Sequence, residues 1–249
     1  NGITNAVYDW EMPWNSDDAY ANIQPFLSYK HRLTDALTMT AGASAFHSTI
    51  NSNSTSLFEP RLGFNYDMDK HNKLFTGAGY HTQMQSSYLY YYEGSQALDD
   101  STVLGTTYNK DMGLTKSAHA VAGWEHNFDY PIRLKLEAYY QYLWNIPVEQ
   151  QASYFSLVNG GSGFGRLWAE PLENRGLGRN YGLEFTLEHY YRNGFYGLLT
   201  GSVFDAKYKG SQNLDALPGS ADDRWVNTLF NGRYAMNLIL ARNIPVGDY

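Results

Sequence analysis

The chain has 249 residues, of which 16% are aromatic and only 17% charged, against roughly 25% charged in ordinary soluble domains. A formal net charge of -7 argues against a nucleic-acid partner, because a phosphate-binding face needs clustered Lys and Arg. The absence of cysteine excludes disulfide frameworks, thiol nucleophiles and Cys-based metal sites.

Mean hydropathy is -0.48, and no stretch approaches the ~20 consecutive apolar residues of a transmembrane helix. A barrel strand stays open as an alternative, since it turns only every second residue to lipid. Period-two alternation predicts about nine strands, near 22–32, 36–49, 58–67, 73–90, 114–127, 132–147, 180–191, 195–208 and 225–241. In RLGFNYD, Leu62, Phe64 and Tyr66 take one face, and Arg61, Asn65 and Asp67 the other. In IRLKLEAYYQYLW, Ile132, Leu134, Leu136, Ala138, Tyr140, Tyr142 and Trp144 oppose Arg133, Lys135, Glu137, Tyr139 and Gln141. YGLEFTLE sets Tyr181, Leu183, Phe185 and Leu187 against Gly182, Glu184, Thr186 and Glu188. The last run sets Phe230, Tyr234, Met236, Leu238 and Leu240 against Asn227, Asn231, Arg233 and Asn237.

A soluble sheet with one wet face would alternate in the same way, so the connections carry more information. Short turns (HRLTDA, MDKHN, HNFDYP, YYRNGF) alternate with longer polar links, the longest over 93–113 and 148–179. Membrane barrels have this asymmetry, with short periplasmic turns and long extracellular loops. Asn193-Gly194 is the strongest tight-turn signal, because both residues tolerate φ > 0. Several runs exceed ten residues, whereas a soluble strand is typically ~5–6. Aromatics gather at run ends (Tyr88, Tyr90, Tyr91 and Tyr92; Tyr142 and Trp144; Tyr190, Tyr191, Phe195 and Tyr196), as expected of two interfacial girdles.

The stretch NRGLGRNYGLEFTLEHYYRNGFYGLLTGSVFDAKYKG followed by RWVNTLFNGRYAMNLIL resembles the late barrel of TonB-dependent receptors of the Bacteroidota type. FEPRLGFNYDMDKHNKLFTGAGYHTQMQSSYLYYY looks like two mid-barrel strands of the same receptors. The resemblance covers most of residues 20–243. It implies an all-β fold, an antiparallel transmembrane β-barrel segment in which residues 1–249 belong to one barrel domain. The family's barrel has about 22 strands closed around a plug, so the plug and the remaining strands are expected to lie outside this chain. It further implies an outer-membrane location in a Gram-negative bacterium and import of a solute (glycan, peptide or metal chelate). The partners it implies are outer-membrane lipid, a TonB-type energising complex acting through the plug, and a surface lipoprotein.

Sequence motifs for chemistry are sparse. His31, His47, His71, His81, His119, His126 and His189 are scattered without HExxH or other ligand spacing, so no metal and no cofactor is predicted. NGGSGFG at 159–165 lacks GxSxG spacing, and GLGRNYG at 176–182 opens a strand without GK[ST]. No catalytic residue is named, and the expectation is a non-enzyme. Glu184 and Glu188 share a face some ~13 Å apart, too far for a glycosidase pair on one strand. They are expected to be lumen-facing charges opposite Arg133, Lys135 or Arg233. His81, Gln83 and Gln85, leading into Tyr88 and Tyr92, form a candidate substrate-contact ladder together with Trp168; the competing account is a hydrogen-bonded wall and an aromatic belt. Trp10, Trp14, Phe155 and Phe164 fall in segments expected to be extracellular. The alternative to a transporter is a soluble, aromatic-rich β-sandwich binding module at the cell surface, with strands nearer six residues and polar outward faces.

Overall fold

The computed structural model describes residues 18–98, 101–107, 109–162, 171–244 and 247, and for 93–107 the backbone alone. Eleven strands form one antiparallel sheet. In chain order they are β1 (Asn22–Ile23), β2 (Phe26–Arg32), β3 (Leu37–Ser48), β4 (Thr55–Asp67) and β5 (Asn72–Gln83). A helical turn α1 (Ser87–Tyr90) and a separate hairpin, β6 (Glu93–Leu98) with β7 (Ser101–Thr107), follow. The sheet resumes with β8 (Thr115–Asn127), β9 (Ile132–Glu149), β10 (Leu172–Arg192) and β11 (Phe195–Lys209). After α2 (Ser211–Leu214) it ends in β12 (Val226–Asn227) and β13 (Tyr234–Arg242). From β3 to β11 each sheet strand pairs with the next along the chain.

Several predicted boundaries shift. The run 73–90 stops at Gln83 and turns helical at Ser87, and the link 93–113 contains the β6–β7 hairpin. The link 148–179 is shorter than expected because β10 already begins at Leu172 and pairs with β9 through Glu149. The run 225–241 is broken between β12 and β13, where Arg233 takes φ 65°. Prolines explain two interruptions, because they donate no ladder hydrogen bond. Gln24-Pro25 separates β1 from β2, which otherwise share one register on β3. The β4–β5 ladder ends at Arg61↔Gly79, one residue short of Pro60.

The alternation read from the sequence decides which face points where. Along β8, Ala118, Ala120 and Ala122 are exposed while Ser117, His119 and Val121 are less so, which marks the apolar side as the outer side of a curved sheet. Register joins the apolar positions into a band: Leu62 faces Ala78, Ala78 faces Ala120, Ala122 faces Ala138, Ala138 faces Leu183, and Leu183 faces Val203. Leu183 is 60% exposed, Met236 71% and Leu238 61%. A sheet in water would bury this face and wet the other. From Ile132 to Trp144 the strand runs about 40 Å, which at a tilt near ~45° crosses about 28 Å, close to the apolar height of a bilayer barrel.

Polarity returns abruptly above this band. On β11 the outward series Leu199, Gly201, Val203 continues as Asp205 and Lys207, and Tyr181 donates from its hydroxyl to Asp205 at 3.0 Å. Tyr140 stacks on Tyr181, and Trp144 on both Tyr80 and Tyr142, at the same level. Tyr130, Tyr191 and Phe195 stand exposed at the short-turn end, whereas Tyr190 turns inward under Arg133. The two aromatic girdles therefore flank the apolar band. The tyrosines at 88–92 do not belong to them: Tyr90 is 1% exposed and Tyr88 and Tyr92 pack against Leu89, Tyr90, Met112 and Leu172. These side chains form the chief apolar core among the described residues, and it lies at the long-link end.

Candidate functional site

The long-link end is held by asparagine side chains. Asn51 Nδ2 donates to the carbonyls of Lys110 (2.7 Å) and Met112 (2.9 Å), and Asn53 Nδ2 to that of Asp111 (2.8 Å). Asn174 Oδ1 accepts from the Gly113 amide at 2.7 Å, while its Nδ2 donates to Asn145 O at 2.9 Å. Asn145 itself takes φ 59° where β9 carries one extra residue against β10, Trp144 and Asn145 together facing Leu177. Irregular backbone carries donors and acceptors that no ladder satisfies, and amide side chains match both kinds. Burial pushes the Tyr90 phenol up from its usual pKa, so it stays a neutral donor and acceptor in this cap.

Between this cap and the top of β5 lies a polar cavity of about 340 Å³, lined by Gln83, Met84, Gln85, Ser86 and Tyr88, with Leu157 and Gly160–Gly161 across from them. Three of the predicted substrate-contact residues, Gln83, Gln85 and Tyr88, thus meet around one space. Gln85 lies beyond the end of β5 rather than on the strand ladder, and its Nε2 donates to Thr115 Oγ1 at 2.8 Å. Tyr92 packs on the apolar core instead. His81 sits lower, on the inner wall, with its ring against His119. Trp168, like Trp10, Trp14 and Phe164, lies outside the described residues, whereas Phe155 packs on the core and staples its loop down. The sequence missed the contribution of Leu157 and Gly160–Gly161, because nothing in a Gly- and Ser-rich link specifies which distant strand it folds against.

Below the cavity the inner wall carries paired charge. Arg133 Nη2 donates to Glu188 Oε2 at 2.7 Å and Nη1 lies 3.7 Å from Glu125 Oε2, so the expected Arg133–Glu188 pair forms. Lys135 instead meets Glu137 at 2.8 Å on its own strand. Arg233 makes no ion pair among the described residues. Glu137 and Glu184 face each other directly across β9 and β10. Among the described residues no three His, Asp or Glu side chains gather as metal ligands.

A single sheet with an apolar outer face, a charged inner face, two aromatic girdles and loops crowded at one end defines a wall of an outer-membrane-type β-barrel. No family model and no curated protein matches the sequence. Solved structures do match. The alcaligin outer-membrane receptor FauA of Bordetella pertussis superposes with a TM-score of 0.56 at 14% identity, over 91% of this chain and 35% of its own. A variant of the ferric enterobactin receptor PfeA of Pseudomonas aeruginosa gives 0.56 at 15% identity, over 89% and 30%. The RagAB peptide transporter gives 0.53 at 13% identity, over 76% and 22%. These matches are described as receptors and a transporter, and the chain shares the fold of their walls. It spans 22% to 35% of the length of these three structures.

Proposed function

We propose that the chain forms part of the barrel wall and extracellular vestibule of an active outer-membrane importer, energised by a TonB-type complex through a plug. The observation that carries this is the inverted sheet: Leu, Met and Tyr outward, charge and amide inward, with the polar cavity at the rim of the inner side. An aromatic-rich sandwich would bury its Leu and Phe face against a second sheet, and here that face is bare. Alcaligin, ferric enterobactin and peptides, stated for FauA, PfeA and RagAB in turn, are the kinds of solute that this proposal brings to the chain. Gln83, Gln85 and Tyr88 are the residues proposed to contact solute at the rim.

The test is extraction and migration of the intact protein. It should need detergent for extraction and run faster on a gel unheated than after boiling. A stable monomer in plain buffer would sink the importer proposal.

A further inference from the structure

Two imidazoles face each other on the inner wall below the vestibule. His81 on β5 and His119 on β8 occupy diagonal cross-strand positions, His81 opposite Ser117 and Gly79 opposite His119. Their ring centroids are 4.8 Å apart with the planes 6° from parallel. Gly79 permits this approach, because a Cβ there would stand 3.1 Å from His81 Nε2 and 3.4 Å from His119 Nε2. Both Nε2 atoms therefore border one small space floored by the Gly79 backbone.

What these nitrogens do not do is informative. His47, His71 and His126 each engage Nδ1 in a hydrogen bond, at 2.9, 2.7 and 2.8 Å. His81 and His119, like His31 and His189, make none among the described residues, and each of the pair keeps part of its surface open. A packing pair alone would not need both nitrogens at one glycine. Neutral imidazole is a good ligand for zinc, copper and nickel, and two of them fill only part of the four or more positions those ions take.

We propose that His81 and His119 form a two-imidazole docking point for a transition-metal ion that arrives in a chelate with two open or labile positions. The proposal rests on the inner wall lining a solute path. With no third protein ligand gathered there among the described residues, the other positions belong to the chelator. The rings stand parallel in the present state. Rotation toward the space over Gly79 brings each nitrogen to the ~2.0–2.1 Å of a metal–imidazole bond.

The probe is Ni2+ nitrilotriacetate, whose chelator leaves two adjacent positions free, titrated calorimetrically into the intact protein in detergent without a polyhistidine tag. Binding is expected, with His81→Ala and His119→Ala each weakening it at least about tenfold, the lower end of what even outer-shell partners of a metal ligand contribute. Gly79→Ala should weaken it while keeping both imidazoles. Ni2+ with EDTA, which leaves no position open, should not bind. His81→Asn, which keeps a polar side chain, and unheated gel migration of each variant separate lost ligation from lost folding. No binding by the intact protein, or binding that survives the loss of both imidazoles, overturns the proposal, as does unchanged binding in Gly79→Ala. A barrel that ignores the probe refutes only the metal site, whereas a buffer-soluble chain that binds it refutes only the importer.

Discussion

At the scale of single residues, glycines opposite aromatic rings hold the wall together. The Phe75 ring lies over Gly123 on the inner face, and the Phe185 ring lies over Gly201 on the outer face, each across one strand pair. Gly123→Ala must push the Phe75 ring aside, and we expect a loss of about 1–3 kcal/mol in denaturant unfolding from micelles, typical of overpacking. Arg133 is a second such point, placed between Glu125 and Glu188, whose side chains are only 18% and 16% exposed. Arg133→Met should cost about 1–3 kcal/mol in the same assay, below the 3–5 of a fully buried pair because water still reaches the site. The Arg133–Glu188 pairing was legible in the sequence, since period two places both charges on one face of adjacent strands. The partner of Lys135 was not, because a flexible Lys reaches either along its own strand or across it.

At the scale of elements, the strands and the loops answer to different forces. On β10 and β11 the outer face meets hydrocarbon and the inner face meets polar surroundings, so opposite effects are expected from one substitution type. Leu183→Lys should lower stability in lipid by about 2–4 kcal/mol if the residue lies near mid-bilayer. Ser202→Lys, across from Glu184 on the inner face, should change it little; equal losses in both variants would contradict the assignment of faces. The loop after β11 is tied by carboxylates instead. The Arg175 guanidinium holds Asp215 below the usual carboxylate range, the Tyr154 hydroxyl and Gln212 do so for Asp222, and Lys209 with the Gly219 amide for Asp223. A lowered pKa in the folded loop stabilises it above the ordinary carboxylate value of ~3.9, and that contribution fades as pH falls through the lowered values. Hydrogen-exchange protection over residues 210–224, taken relative to the intrinsic amide rate at each pH, should therefore fall below about pH 4, with strands β9 and β10 unaffected; a loop equally protected at pH 3 and pH 7 would refute this.

At the scale of the whole molecule, the sheet has two edges, β1–β2 and β12–β13, that pair on one side only among the described residues. Hydrocarbon does not tolerate such rows of unpaired amides, so under the importer proposal each edge is expected to pair with a further strand. Alternation, strand length and turn chemistry by themselves determined the sheet, its register of apolar and polar faces and its short-turn end, because those depend on neighbours two residues away or on a local φ > 0, as at Asn193 and Gly194. They did not determine the long-link end. Whether Tyr90 would join a girdle or a core, whether β10 would start at Leu172 or eight residues later, and which loops would enclose Gln83 and Gln85 depend on Asn51, Asn53, Asn109 and Asn174, each of which bonds a backbone group 58 to 63 residues distant. The facing of His81 and His119 also waited on the tertiary structure. A sequence shows two isolated histidines, and only the pairing of β5 with β8 sets them against one glycine.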